Sequence, residues 1–364
     1  MADTTDNHQI AIVGCGVIGR THADTIAARP DATVTALIDG DAAARESLAA
    51  SLVAAGQPEP KVYDDLVAAL AGSDISLVAI CTPSGTHAAL AEQALAEKKH
   101  VVIEKPLDVD LPRARRLGAA ATRAANHGVV SSVISQHRFD PGSALVAEAI
   151  KSGRFGQPTS AVATVAWWRS DEYYASAGWR GTWAQDGGGA LMNQGVHTVD
   201  LLLWFMGRPV TVQAQAIRAA HHAIEVEDTV VAILTFESGA VATLHATTAA
   251  FPGNRTRVSV HGTEGGAEIE NDVLSRFNAD GSTDEVSVDA ERPGGHVAQY
   301  DDVLRAIANG EQPGITVHDA IEALATVRAV YIASTLQRPV QFLDVLEGRY
   351  DDVDVSRGIG LPPR

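Results

Sequence analysis

Short apolar runs alternate with helix-length stretches over the first third of the chain. This alternation is typical of βαβ units and predicts a doubly wound parallel sheet of the Rossmann type. The predicted strands are Gln9–Val13, Thr33–Ile38, Leu77–Cys81, Val101–Ile103 and Val129–Ser135. The predicted helices are Gly19–Ala28, Ala42–Ala55, His87–Glu97 and Leu111–His127.

A different pattern begins after about Arg138, where longer runs rich in Thr and Val are separated by turn residues. It predicts an α+β domain with a largely antiparallel, open-faced sheet. The predicted strands are Thr159–Trp167, Pro209–Arg218, Asp228–Phe236, Ala240–Thr248, Thr256–His261 and Gly266–Glu270. The predicted helices are Ala144–Ser152, Gly195–Met206, Val297–Asn309 and Val317–Leu336.

The length of 364 residues suits two domains, because single cores usually divide beyond roughly 250–300 residues. We predict an NAD-binding Rossmann domain over residues 1–137 and an α+β substrate and oligomerisation domain over residues 138–345. Residues 346–364 are polar, with scattered Gly and Pro, and are predicted to form a loose C-terminal tail.

The net charge of −17, from 45 acidic and 28 basic residues, argues against nucleic-acid binding and against an anionic membrane surface. No apolar run reaches the roughly 20 residues of a membrane span, and the polar start does not look like a secretory signal. Cys15 and Cys81, the only cysteines, form neither a zinc pattern nor a disulfide framework. We expect a cytoplasmic protein without a metal site that acts on a small molecule.

A GxGxxG sequence, Gly14-Cys15-Gly16-Val17-Ile18-Gly19, follows the first predicted strand and opens a helix. Gly14 permits a tight turn, Gly16 lets the backbone approach a pyrophosphate, and Gly19 allows close helix–strand packing. The helix N-terminus, at Val17 and Ile18, faces the phosphates. The context therefore predicts a dinucleotide site.

Asp39 ends the second predicted strand, 25 residues after Gly14. A carboxylate at this point accepts hydrogen bonds from ribose hydroxyls and repels a 2′-phosphate, which favours NAD over NADP. Arg45 is the residue that could instead attract a 2′-phosphate.

Another predicted strand ends in Glu104-Lys105-Pro106, and Thr82-Pro83 ends the strand before it. Both lie at the carboxyl edge of the sheet, where ligands bind in such folds. Lysine, unlike arginine, can release a proton, so Lys105 could hydrogen-bond a substrate hydroxyl and relay its proton. A surface ion pair between Glu104 and Lys105 is an equally good interpretation of the spacing.

Asn193, His197 and Asp200 stand at i, i+4 and i+7 after a run of three glycines. They share one helix face if helical geometry already holds at Asn193. An imidazole in such a polar stripe can act as a general acid or base. The alternative is a helix-capping histidine beside a solvated aspartate.

An aromatic and arginine cluster precedes the glycine run, in a chain with only 5% aromatic residues. Rings can stack on the apolar faces of sugars and arginine can donate to hydroxyls, although packing at a domain interface would explain the same cluster. We expect at least one of Tyr173, Trp179 and Arg180 to contact a sugar. The cluster consists of Trp167, Trp168, Arg169, Tyr173, Tyr174, Trp179, Arg180 and Trp183.

Taken together, these motifs resemble the glucose-fructose oxidoreductase / inositol dehydrogenase / MocA (Gfo/Idh/MocA) family from about Ile10 to Val340. The resemblance rests on the glycine loop, on Thr82-Pro83 with His87 close behind, on Glu104-Lys105-Pro106 and on Gly187–Asp200. It implies an N-terminal dinucleotide-binding domain, a C-terminal domain with an open sheet, and a homodimer or homotetramer formed through that sheet.

The resemblance also implies roles for single residues. Lys105 and His197 would be catalytic, and Thr82, Pro83, His87 and Glu104 would join the cofactor site. Many members have an aspartate four residues before the histidine; here the position is Asn193, which can hydrogen-bond a substrate but cannot carry the charge of a carboxylate-assisted proton relay. Asn193 and His197 are also expected to contact the substrate.

We therefore expect an NAD(H)-dependent oxidoreductase acting on a ring hydroxyl or keto group of a sugar, sugar derivative or inositol-type polyol. One alternative is an enzyme with tightly bound NAD that epimerises, exchanges or cleaves glycosides through a keto intermediate. The other is a non-catalytic sugar or NAD sensor, which would not need Lys105 and His197.

Overall fold

The computed structural model describes residues 7–282 and 294–360. Its strands are β1 (His8–Val13), β2 (Ala32–Ile38), β3 (Lys61–Tyr63), β4 (Leu77–Ile80), β5 (His100–Ile103), β6 (Ser131–Val133), β7 (Pro158–Ala166), β8 (Pro209–Ile217), β9 (Thr229–Phe236), β10 (Val241–Thr247), β11 (Arg257–Gly262), β12 (Gly266–Glu270), β13 (Val273–Asn278) and β14 (Val340–Gln341). Its helices are α1 (Val17–Ala27), α2 (Ala42–Ala54), α3 (Leu66–Gly72), α4 (His87–Ala96), α5 (Leu111–Ala125), α6 (Pro141–Lys151), α7 (Asp171–Ala175), α8 (Val196–Met206), α9 (Gly295–Asn309), α10 (Val317–Leu336) and α11 (Phe342–Leu346).

The chain forms two compact units whose boundaries differ from the single boundary at residue 137 that the sequence suggested. The first unit takes in the chain up to Asp108, Arg113–Ile134 and His296–His318. The second takes in Val109–Pro112, Ser135–Gly295 and the chain from Asp319 onward.

Helix α9, which the sequence analysis placed in the second domain, thus belongs almost entirely to the first unit. Its buried residues Tyr300, Val303 and Leu304 pack in the same apolar core as Ile10 and Ile12 of β1. Burial of this face stabilises the first unit, and it comes from a segment that begins 162 residues after Ile134 (296 − 134).

The first unit holds a parallel sheet with the strand order β3-β2-β1-β4-β5-β6. This order is that of a doubly wound nucleotide-binding fold, and it confirms the predicted Rossmann architecture. All four residues of β4 are buried, as expected for a central strand covered on both faces. Strand β3 and helix α3 were not predicted. Two of the three β3 residues are exposed, so this strand leaves no apolar run in the sequence.

The second unit holds a mixed sheet with the order β13-β12-β11-β7-β10-β9-β8-β14. Strand β10 pairs with β7 in parallel, and the other pairs are antiparallel, which confirms a largely antiparallel sheet. Strands β13 and β14 and helix α11 were not predicted. Helix α8 packs against β7 and β11 on one face of this sheet.

The other face of the sheet is open and partly apolar. Along β9, Val230, Ala232 and Leu234 are buried, whereas Val231 and Ile233 are 51% and 50% exposed. This alternation follows from the two-residue period of a strand. The open-faced sheet predicted from the sequence is therefore present.

The segment predicted as a loose tail from residue 346 is ordered against the second sheet as far as it is described. Gly360 forms a parallel bridge with Ile217 of β8, and Val355 is buried. Backbone hydrogen bonds from Arg218 to Gly360 and from Gly360 to Ala216 hold the segment there. In the described ranges we find no helix with the length and apolar character that crossing a membrane requires.

Candidate functional site

The turn between β1 and α1 has the geometry of a dinucleotide loop. Gly14 has φ +96°, and a Cβ there would lie 2.6 Å from the carbonyl oxygen of Cys81. A Cβ on Gly19 would lie 2.0 Å from the Gly14 oxygen, so both positions require glycine. A Cβ on Gly16 would meet no atom within 4 Å, which leaves its backbone open to an approaching ligand. The helix begins at Val17, which is 87% exposed.

The strands of the parallel sheet end in register at this edge. Val13 pairs with Ile38 and with Ile80, and Ile80 pairs with Ile103. The four residues that follow these strands therefore come together, although they are far apart in the chain. They are Gly14, Asp39, Cys81 and Glu104.

Asp39 lies beside the glycine loop, as the spacing suggested. Its Oδ2 accepts a hydrogen bond from the Cys15 N–H at 2.8 Å and its Oδ1 accepts one from the Asp41 N–H at 2.9 Å. Arg45 donates to the Asp39 carbonyl and forms an ion pair with Asp64 at 2.6 Å. The guanidinium is thus already engaged with two oxygen partners.

Thr82, Pro83 and His87 form a braced turn after β4. The Thr82 hydroxyl lies 2.7 Å from the Thr86 hydroxyl. His87 is buried, and its ring nitrogens lie 2.7 Å from the Thr82 carbonyl and 2.8 Å from the Pro106 carbonyl. His87 thereby links this turn to the segment after Lys105 and stabilises the carboxyl edge of the sheet.

Glu104 is 4% exposed, so its carboxylate is buried and not part of the protein surface. Its Oε1 lies 3.0 Å from His22 Nε2 and its Oε2 accepts a hydrogen bond from the Lys105 N–H at 3.0 Å. His22 Nδ1 in turn lies 2.7 Å from the Tyr300 hydroxyl. Burial alone would raise the pKa of Glu104, but contacts with His22 and His296 lower it well below its usual value. A buried carboxylate therefore anchors the backbone of Lys105.

His22, Glu104 and His296 also place one potential metal-ligand atom each within 4.8 Å of one another. Hydrogen bonds already account for the ring nitrogens of His22 and for both Glu104 oxygens. We therefore read the cluster as a hydrogen-bonded support for the strand end.

A glycine run in the second unit is packed against a buried carboxylate. A Cβ on Gly189 would lie 1.8 Å from the Glu227 carbonyl oxygen, and one on Gly188 would lie 2.3 Å from the Tyr331 hydroxyl. The Glu227 side chain accepts hydrogen bonds from the N–H groups of Gly189 and Leu191 at 2.7 and 2.9 Å, and from Tyr331 at 2.9 Å. Burial raises the pKa of Glu227 to about 7, against the lowering effect of these donors.

Asn193 and His197 do not share a regular α-helix. Residues Ala190–Gln194 form a π-helical turn, and α8 begins only at Val196. The Glu227 carboxylate accepts hydrogen bonds from the N–H groups of Gly189 and Leu191, and these bonds hold the start of the turn. The condition for a shared helix face, regular helical geometry already at Asn193, is therefore not met.

Asp200 takes no part in a solvated polar stripe. It is buried, and both of its oxygens accept hydrogen bonds from Arg138, at 2.7 and 2.8 Å. Arg138 also contacts Asp319 at 3.2 Å. Such a bidentate pair satisfies the buried charge of Asp200, which marks it as a structural residue.

The His197 ring lies in the wall of a pocket within the second unit, together with His137, Gln194 and Asp272. His137 packs edge-on against His197 with 5.0 Å between ring centroids. Burial would lower the pKa of His137, but Asp140 at 2.8 Å and Asp272 at 3.4 Å raise it above its usual value. The two carboxylates therefore favour the protonated form of the His137 imidazole, which lies beside His197.

The predicted sugar-contact residues are linked to the turn that carries Asn193. Arg180 donates to the Tyr173 hydroxyl at 2.7 Å and lies 4.5 Å over the Trp179 ring. Gln194 also donates to the Tyr173 hydroxyl, at 2.8 Å, and accepts from Arg169. Tyr173, Trp179 and Arg180 are each partly exposed and remain able to meet a ligand.

Four residues of this region were absent from the sequence analysis. For one of them, Glu227, the sequence offered a signal, namely the acidic pair Glu227-Asp228 before β9. The contacts of the other three are revealed only by the three-dimensional arrangement. They are His137, Asp186, Glu227 and Asp272.

Two family models match the chain. Residues 8–133 match the oxidoreductase family with an NAD-binding Rossmann fold, and residues 144–268 match the GFO/IDH/MocA C-terminal domain. The two matches fall on the two kinds of sheet described above.

Several named proteins are similar over most of the chain. Inositol 2-dehydrogenase of Rhizobium meliloti is 30% identical over 72% of this chain and 76% of its own length. D-apiose dehydrogenase of Paraburkholderia graminis is 27% identical over 91% of this chain and 88% of its own. The structure of the WlbA dehydrogenase from Bordetella pertussis, in complex with NADH and UDP-GlcNAcA, matches with a TM-score of 0.82 at 28% identity, covering 93% of this chain and 99% of that one.

Proposed function

Because the chain belongs to the GFO/IDH/MocA oxidoreductase family, we propose that it is an NAD-dependent dehydrogenase acting on a ring hydroxyl or keto group of a sugar or inositol-type polyol. The family is NAD-binding, and its similar members include dehydrogenases of an inositol and of apiose. Bound NAD supplies the hydride chemistry, and the chain's residues must bind the substrate and move one proton.

The observation that carries the proposal is the position of His197. His197 lines a pocket together with polar residues such as Gln194 and Asp272 and apolar residues such as Trp167 and Leu201. A neutral imidazole in this wall can take a proton from a hydroxyl or return one to a keto oxygen. The neighbouring His137 ring packs edge-on against His197, and contacts with Asp140 and Asp272 raise the pKa of His137 above its usual value.

Lys105 is the second proposed proton-transfer residue. Its backbone is held by the buried Glu104, so the side chain starts from a fixed point at the carboxyl edge of the sheet. An ammonium group there can hydrogen-bond a substrate oxygen and stabilise developing negative charge.

We propose that the cofactor is held by the glycine loop and Asp39. Gly16 leaves room for a pyrophosphate, and the N-terminus of α1 favours negative charge. The Asp39 carboxylate, fixed by two backbone donors, is suited to accept hydrogen bonds from ribose hydroxyls. Thr82 and Pro83 shape the neighbouring part of the same edge.

The decisive experiment is a substrate panel of inositols, aldoses, anhydrosugars and glycosides, with NAD and NADP tested separately and nicotinamide absorbance as the readout. We expect reduction of NAD with one substrate class. Silence across the panel with NAD released on denaturation would replace the proposal with an internal redox reaction. Silence without bound NAD would contradict a dehydrogenase.

A Lys105→Ala variant tests the proton-transfer role. We expect kcat to fall by about 100-fold or more, the scale of lost general acid–base assistance, while NAD still binds. The matched control is Lys151→Ala, which removes an exposed lysine at the end of α6. Normal turnover by Lys105→Ala would remove this residue from the mechanism.

A further inference from the structure

We propose that Asp186 is a positioning residue of the reaction site, which fixes the orientation of the Asn193 amide and supplies the carboxylate charge next to it. Asn193 Nδ2 donates a hydrogen bond to Asp186 Oδ1 at 2.5 Å. The inference rests on the proposed function, since it concerns the same turn that leads into His197.

The hydrogen bond selects one of the two orientations of the amide. An asparagine side chain has a donor end and an acceptor end, and rotation by half a turn exchanges them. An ionised carboxylate can only accept, so Asp186 commits the nitrogen of Asn193 toward itself. Where Asn193 contacts the substrate, as the family resemblance implies, its carbonyl Oδ1 can accept from a hydroxyl, which can donate, and not from a keto oxygen, which cannot.

Asp186 is itself held rigidly. It is 2% exposed, and its Oδ2 accepts a hydrogen bond from the Gly181 N–H at 2.8 Å. Its own N–H and that of Gly187 both donate to the Thr182 carbonyl at 3.1 Å. A buried carboxylate with a donor on each oxygen is costly to move.

The carboxylate of Asp186 therefore lies one hydrogen bond away from the Asn193 amide. Hydrogen bonds in series polarise one another, so the anionic partner makes the Asn193 carbonyl a stronger acceptor than an isolated amide. This arrangement combines a neutral side chain at position 193 with a negative charge close to it. It favours binding of the alcohol form of the substrate at this point.

A reciprocal exchange tests the pair directly. Asp186→Asn leaves two amides, and we expect kcat to fall roughly 10- to 100-fold, as for a lost charge-assisted hydrogen bond. Asn193→Asp sets two carboxylates at hydrogen-bond distance, so one proton is shared and activity is retained only toward acidic pH. The double exchange restores one carboxylate and one amide, and we expect it to recover at least tenfold over the weaker single variant.

The control is Asp171→Asn, which neutralises an exposed carboxylate at the start of α7. Wild-type turnover by Asp186→Asn, or a double variant that shows the product of the two single losses, would overturn the positioning role. The melting temperatures of the wild type, the two single variants and the double variant measure the coupling between Asp186 and Asn193 without any substrate. If the changes in melting temperature of the two single variants add up to that of the double variant, the coupling between Asp186 and Asn193 is refuted, whether or not the dehydrogenase activity is found. If the changes do not add and the substrate panel is silent, the coupling stands and only the proposed function is contradicted.

Discussion

At the scale of single residues, Asp39 shows how far spacing along the chain can locate a site. The end of β2 and the position of the glycine loop were both readable, and in-register strand ends bring the two together. The sequence did not predict which groups the Arg45 guanidinium contacts. This guanidinium is turned to Asp64 and to the Asp39 carbonyl, contacts that depend on how the following loop folds.

An Asp39→Ala variant should distinguish the two cofactors. We expect NAD to bind about 10- to 100-fold more weakly, because hydrogen bonds to a charged group contribute roughly 1.5–3 kcal/mol. Binding of NADP should change less, since the repulsion of its 2′-phosphate is relieved at the same time. Calorimetric titration with both cofactors measures this, with Asp24→Ala, an exposed change on α1, as the control. Equal losses for the two would remove the basis for NAD selectivity.

At the scale of structural elements, the segment from Gly187 to His197 shows why a residue period alone misled. Asn193 and His197 have helical spacing, but hydrogen bonds to Glu227 hold the preceding residues in a π-helical turn. The glycines are required because the Glu227 backbone and the Tyr331 hydroxyl occupy the space that side chains would fill. The spacing of residues within one segment gives no information about a hydrogen-bond partner such as Glu227, which lies far away in the chain.

A Glu227→Gln variant should loosen this turn. The amide nitrogen cannot accept from a backbone N–H, so one of the bonds to Gly189 and Leu191 is lost, and we expect a loss of about 1–3 kcal/mol in the free energy of unfolding. Glu225→Gln is the matched control, because its exposed carboxylate accepts one N–H, from Trp183. We expect kcat to fall in the first variant only.

The pH dependence of stability gives a second readout for Glu227. Its pKa is raised from 4.5 to about 7 in the folded chain, so between these values the folded protein holds a proton that the unfolded chain has released. Wild-type stability should therefore fall as pH rises through this window, and the fall should be smaller in Glu227→Gln. Urea unfolding at pH 5 and pH 7.5 measures the free energy of unfolding of both proteins at each pH. The same change between the two pH values in wild type and Glu227→Gln would contradict the raised pKa of Glu227.

At the scale of the whole molecule, the open sheet is the surface that a homo-oligomer would use. Ile233 and Val231 stand exposed on β9, and Val241 of β10 is 48% exposed on a neighbouring strand. An apolar stripe of this kind on a sheet face is typical of a protein–protein contact. The oligomer expected from the family resemblance remains our prediction.

An Ile233→Glu variant tests that prediction. A carboxylate placed in a buried contact without a partner is costly, so we expect subunit dissociation to become easier by about tenfold or more. Sedimentation over a range of concentrations measures it. Val53→Glu, with 47% exposure on α2, is the control away from the sheet. Unchanged association of Ile233→Glu would exclude this face.

What the sequence determined by itself was local. A strand, a GxGxxG turn and a helix follow one another directly, so backbone sterics and the position of Asp39 could be read without knowing the fold. What only the tertiary structure decided was which distant segments meet. Helix α9 completes the first core, and Asp186 orients Asn193, because burial and hydrogen bonding depend on the surfaces that folding brings together and not on their separation along the chain.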